Sequence, residues 1–234
     1  KDSAEPDVVV KWEAEDEDTI QPNMVCENHK LTIDRNNPDV FKTFFSVFKK
    51  EGGKVTVRVP RGYAADYEIG TTSGDIKLYA IDVDRVKVNT TSGSVRIEPD
   101  PGIRAKEISV TSISGDATVS ACAGDVSVTT VSGKQFVSCD ANRASVSVVS
   151  GKAHVEGACE EWEINSVSGG VELICTVAPT NRIQLSTVSG NARVTLPSDI
   201  RGFVADMSSM SGRIVNEFGP NRYGTCALPI HMDT

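Results

Sequence analysis

Aromatic side chains are scarce here, 6% of 234 residues, while serine, threonine and valine abound, a balance that suits strands better than helices. Histidine is scarcer still: only His29, His154 and His231 occur. A serine nucleophile needs a positioned base, so serine catalysis repeated along this chain has almost nothing to lean on. Lysine and arginine number 24 against 32 acidic residues, and the net charge is −8. Phosphate neutralisation needs basic clusters, so a nucleic-acid partner is excluded. No apolar run is long enough to span a bilayer. The acidic stretch Glu13 to Asp18 lacks the glycine that lets an EF-hand loop turn sharply, which makes it a solvated turn rather than a calcium site. No secretory leader is visible, and an opening at Lys1-Asp2 without methionine is expected of a trimmed export or expression product.

What fills the chain instead is a short phrase, x-Ser-Gly, whose glycines are Gly74, Gly93, Gly115, Gly133, Gly151, Gly169, Gly190 and Gly212. They lie 19, 22, 18, 18, 18, 21 and 22 residues apart. A period near twenty over most of a chain is the mark of a solenoid. Two and four residues after each glycine the side chains are mostly apolar, as in Ile76 and Leu78, Val95 and Ile97, or Val171 and Leu173. Polar residues such as Lys77, Arg96 and Glu172 stand between them, so each glycine opens a short strand with one face inward. Seven and five residues before the glycine stand Tyr67 and Ile69, Val86 and Val88, or Trp162 and Ile164, which make a second strand. Odd offsets before and even offsets after put the two strands out of phase. A bend is therefore expected between minus five and minus two, with the minus-two residue and the glycine turned inward. The glycine serves there either for a positive φ or for lack of room.

Strand, corner, strand and variable loop describe one coil of a single-stranded parallel β-helix. The expected fold is all-β, about eight to nine coils of 18–22 residues, right-handed because parallel crossovers overwhelmingly are. Residues 1–53 form an N-terminal β lead-in, with strands around Val8–Val10, Met24–Cys26 and Leu31–Ile33. Within it a helix is predicted over 38–50: Asn37 caps it, Pro38 opens it, and Phe41, Phe44, Phe45 and Phe48 line one face. Its expected role is a plug over the open end of the solenoid, with a membrane-surface or partner-binding helix as the alternative. Residues 54–234 form the β-helix. Ile230 and Met232 fall where the minus-seven and minus-five residues of a ninth Ser-Gly would stand, so the last coil is expected to be truncated after Thr234. Extra loop is carried at Pro99–Gly102, Val177–Thr180 and Pro197–Asp199, the expected home of any ligand-binding edge.

Chemistry-bearing residues are few. The stacked serines are read as structural, their hydroxyls bonding to one another or to corner backbone. His154 sits at an outward strand position without an identifiable partner. Glu156, Glu160, Glu161, Glu163 and Glu172 read as a solvated face rather than the paired carboxylates of a glycosidase. Cys122, Cys139, Cys159 and Cys175 fall seven, six, eight and six residues after their glycines in consecutive coils, which places them near one edge. Coils about 4.8 Å apart allow adjacent bridges, but strand-neighbour geometry strains a disulfide, and a column of small packed thiols is preferred. A flat column does not close a tetrahedral zinc site, and nothing pairs Cys26 with Cys226. No catalytic, cofactor-binding or metal-binding residue is expected.

Units such as Ile69-Gly70-Thr71-Thr72-Ser73-Gly74-Asp75-Ile76 resemble the bacterial adhesin-type family of β-helical repeat domains, over about Lys54 to Thr234. The resemblance implies a non-enzymatic, exported or envelope-anchored bacterial protein that contacts a protein or glycan, and it brings no catalytic motif. The cysteines and the Phe-rich helix depart from the family pattern. Alternatives are a regulatory module sensing a protein partner at the envelope, a carbohydrate-active β-helix enzyme, and a scaffold that self-associates through its coil ends.

Overall fold

A computed structural model describes residues 9–14, 23–27, 30–34, 53–59, 66–79, 83–98, 104–198, 202–208, 211, 222–224 and 229–233, and among these every helix or strand is a strand. The helix predicted over 38–50, with Phe41, Phe44, Phe45 and Phe48, lies outside the described residues, as does Gly212. The chain divides into two units, Lys1–Tyr63 and Ala64–Thr234. In the first, β1 (Val9–Ala14) pairs antiparallel with β4 (Gly53–Arg58), from Val9↔Arg58 to Ala14↔Gly53. Strands β2 (Asn23–Glu27) and β3 (Lys30–Asp34) form an antiparallel hairpin. Sequence placed the segment from Lys54 onward in the solenoid; its strand instead completes an antiparallel pair. Alternation of Val55 and Val57 with polar neighbours marks a strand, but the same period serves either partner direction.

The second unit is a parallel stack of about six turns. One ladder joins β5 (Tyr67–Ser73), β7 (Arg85–Ser92), β9 (Ala105–Ser114), β10 (Ala117–Cys175) and β11 (Arg182–Ser189). A second joins β6 (Ile76–Tyr79), β8 (Val95–Glu98), β10 and β12 (Ala192–Thr195). Register is kept at equal offsets from the glycine: Tyr67↔Val86, Val86↔Ile108, Ile108↔Val126 and Trp162↔Ile183. The core consists of columns, one residue per coil. At minus seven Val86, Ile108, Val126, Ala144, Trp162 and Ile183 are all buried, and at minus five so are Val88, Val110, Val128, Val146, Ile164 and Leu185. Ala144 lies one coil from Trp162; close packing demands such a small partner beside a fully buried indole.

The corner differs from the expected one. Inward facing continues to minus three, where Thr90, Ser112, Thr130, Val148, Ser166 and Thr187 are buried, and resumes at plus two. The turn therefore occupies minus two to plus one, and the residues at minus two face outward. Glycine is required twice over: φ at the corner glycines lies between +134° and +151°, and a Cβ on Gly151 would meet the Gly133 carbonyl oxygen at 2.0 Å. Backbone bonds hold the corner, such as Gly74 N–H to Ser92 O (2.9 Å) and Gly93 N–H to Ser114 O (3.1 Å). Asp75 Oδ1 and Asp116 Oδ1 each accept the backbone amide of the next coil, from Ser94 and Lys134 at 2.8 Å.

Four of the inward hydroxyls, on Thr90, Ser112, Ser166 and Thr187, have no protein hydrogen-bond partner. Thr130 receives one from Gln135 Nε2 (2.5 Å), which also reaches Ser147 O at 2.8 Å. The C-terminal end departs from simple stacking. Strand β15 (Pro229–Asp233) pairs parallel with β11 on one side and with β13 (Gly202–Ser208) on the other, and β14 (Arg222–Gly224) pairs antiparallel with β13. Ile230 and Met232 do stand at the minus-seven and minus-five levels, opposite Ile183 and Leu185, but between two coils. Ser189 and Ser211 still bridge directly, so the two coils meet at the corner and part along the strand.

Candidate functional site

Because the minus-two residue faces outward, successive coils raise a row of β-branched side chains on the surface. Ile113, Val131, Val149, Val167 and Val188 are between 42% and 50% exposed. Thr72 and Thr91 continue the row in the earlier coils, also exposed. At a coil spacing of about 4.8 Å the five aliphatic residues span about 19 Å. The repeat serines run beside them; Ser73, Ser92, Ser114, Ser132, Ser150, Ser168 and Ser189 all face solvent. Sequence analysis found the period but turned this row the wrong way. A tell was available: minus three and minus two are both free of large charged side chains, and the corner must reverse only one of them.

A second outward row runs at plus three, and here His154 acquires partners. Its Nδ1 lies 3.1 Å from Glu172 Oε2 and its Nε2 3.8 Å from Glu156 Oε2. Its ring lies 6.0 Å, centroid to centroid, from Phe136 at an interplanar angle of 47°. Phe136, His154 and Glu172 share one offset from successive glycines, a coincidence legible in the sequence. The other acidic residues disperse to separate partners: Glu163 Oε2 accepts from Arg143 at 2.7 Å, and Glu161 Oε2 from Asn181 at 3.5 Å. The Arg143 guanidinium is pushed further up by the Glu163 bond and the charges of Glu161 and Glu163. This is a solvated ionic surface, and no single pair in it is worth much in water.

The thiols separate by facing. Cys139, Cys159 and Cys175 are buried, whereas Cys122, at an odd offset, is only half-buried, with its Sγ 3.8 Å from Arg104 Nη1. Cys139 and Cys175 occupy the plus-six column and Cys159 the plus-eight column. Between the first two coils' worth of side chains stands Gly157, φ +143°, whose Cβ would strike the Cys139 carbonyl oxygen at 1.8 Å. Cys159 reaches toward the same residue: its Sγ lies 4.0 Å from the Cys139 oxygen and 3.6 Å from Cys139 Sγ. The Cys159 thiol held against it, together with burial, pushes the Cys139 thiol far up, and burial carries Cys175 up to about 12. Gly157 carries no Ser-Gly signature, and that is why sequence analysis missed this second corner. The side chain of Cys26, and all of Cys226, lie outside the described residues.

A cavity of about 330 Å³ opens at this edge, lined by Arg104, Asp140, Asn142, Cys159, Glu160 and Thr180 among others. The loop Val177–Thr180, expected as a ligand edge, supplies part of its wall. Arg104 is engaged across two coils, to Asp140 Oδ1 at 3.2 Å and Asn142 Oδ1 at 2.8 Å. Among the described residues no group of three His, Cys, Asp or Glu side chains could hold a metal ion, and no helix is long and apolar enough to cross a membrane.

The profile described as Toastrack DUF4097 matches residues 3–222. The chain belongs to the Toastrack family. That match reaches back over the N-terminal strands, further than the resemblance drawn from the repeats alone. The Toastrack family is not a recognised enzyme family. No curated protein and no solved structure matches the chain.

Proposed function

We propose that this Toastrack solenoid is a non-enzymatic scaffold of the bacterial envelope or cell exterior that docks a protein partner along its Ser-Gly edge. The observation that carries the reading is the outward row Ile113, Val131, Val149, Val167 and Val188, nearly half exposed on a backbone locked by corner glycines. Aliphatic side chains at fixed spacing on a stiff ladder offer apolar area at little entropic cost, since β-branched χ1 rotors are already restricted. Protein is favoured over glycan because a glycan surface would be expected to present aromatic platforms, and among the described residues the large exposed aromatics, Tyr79 and Phe136, stand apart from the row. The envelope location is supported by the resemblance of the repeats to exported adhesin-type domains.

Site-specific photo-crosslinking from position 149 in cells tests the reading. A discrete adduct that disappears with Val131→Asp and Val167→Asp, at unchanged stability, is expected. Release of reducing sugar from any polysaccharide, or an adduct indifferent to both substitutions, overturns it. Fractionation of cells producing the full gene product reads the location directly.

A further inference from the structure

We propose that Cys139 and Cys159 form a redox-responsive pair that closes to a disulfide between adjacent coils, with Cys159 oxidised first by a hydroperoxide entering the neighbouring cavity. Three independent features of the geometry lead there. The two sulfurs are 3.6 Å apart, in van der Waals contact, with no other side chain between them. Closing to a bond of about 2.0 Å needs about 1.6 Å of movement, and Gly157, whose backbone packs against the Cys139 carbonyl, puts no side chain of its own at that level. Cys159, though buried, also lines the 330 Å³ cavity and Cys139 does not, which puts the side open to a small oxidant next to Cys159.

The chemistry balances with one oxidant. Cys159 thiolate attacks the distal oxygen of the hydroperoxide, the O–O bond breaks, and the leaving oxygen departs as alkoxide, which takes up a proton. The product is Cys159 sulfenic acid. The Cys139 thiol then gives up its proton as its sulfur attacks the Cys159 sulfur, and hydroxide leaves as water. Two electrons pass from two thiols to one peroxide, with one alcohol and one water released. The order follows from access and from proton affinity. Cys139 is held far above the ordinary thiol range by Cys159 and burial, so it is a poor first nucleophile. Cys175, raised to about 12 mainly by burial, stays reduced.

Hydrogen peroxide added to the folded, reduced full chain tests this. Alkylation of remaining thiols and peptide mapping should show a Cys139–Cys159 cross-link, reversed by dithiothreitol, with Cys122 and Cys175 still free. Cys139→Ser should stop the cross-link and leave Cys159 trapped as sulfenic acid, detectable with dimedone. Cys159→Ser should leave Cys139 unmodified in the folded protein. Cys122→Ser should change nothing, and circular dichroism establishes that each variant is folded. In the wild type, Cys159, beside the cavity, should be alkylated well before Cys139. A dominant cross-link through Cys122 or Cys175, or no cross-link in the folded chain, overturns the proposal.

Discussion

Alanine at Gly151 and at Gly74 should separate two costs that the corner glycines combine. Both have the same backbone, φ +146° and +147°, so both substitutions force an L side chain into a region costing about 1–3 kcal/mol. Their surroundings differ. The new Cβ at position 74 would meet only Thr71 Oγ1, at an ordinary 3.6 Å, whereas at 151 it would meet the Gly133 carbonyl oxygen at 2.0 Å and its carbon at 3.0 Å. A contact that short cannot persist, so the two coils must part by about 1 Å at the corner. One or two flanking ladder bonds are then lost, each worth about 1 kcal/mol net. Gly74→Ala is thus expected to cost about 1–3 kcal/mol, and Gly151→Ala about 2–5 kcal/mol, about 1–2 kcal/mol more than Gly74→Ala, once the lost bonds are added. Urea titration followed by far-ultraviolet circular dichroism and by tryptophan emission measures both. Two probes are needed because a stack of repeats can unfold in parts. Equal losses at the two sites would refute the claim that coil contact, and not φ alone, demands glycine.

Trp162→Ala should cost about 3–5 kcal/mol, the usual price of deleting a fully buried aromatic, with Ala144 beside it unable to fill the void; Ala144→Leu in the same background should recover part of the loss in the same titration. Stability should also fall in alkali. Cys139 and Cys175 have folded pKa values above the ordinary thiol value of 9.0, so the stability they contribute is present below about 9 and is lost as pH rises through the folded value, about 12 for Cys175. Denaturation midpoints taken from pH 8 to 11 should decline, and Cys175→Ala should shallow the decline; an unchanged slope would refute the assignment. Closing the proposed Cys139–Cys159 bridge should raise stability by about 3 kcal/mol, the loop-closure value for a loop of this size, read as the difference in midpoint with and without dithiothreitol.

Periodicity alone determined the stack. Repeated Ser-Gly at about twenty residues, with apolar residues at minus seven, minus five, plus two and plus four, specifies parallel coils and names most of their core, because burial on a pleated strand recurs with period two. Tertiary structure decided what that period cannot carry. Facing at minus two depends on where the corner falls; Val131 and Val149 look like core residues until the strand is seen to keep its phase to minus three and to turn only at minus two. Cys159 meets Cys139 across adjacent coils, a relation between residues twenty apart that no local pattern records. Strand partners were equally hidden: β4 joins β1 antiparallel, and β15 slips between β11 and β13, though each shows only the alternation of any half-buried strand. Hydrogen-bonded pairing is a property of backbones, common to every residue, so the chain could announce its strands while leaving their neighbours to be settled by the fold.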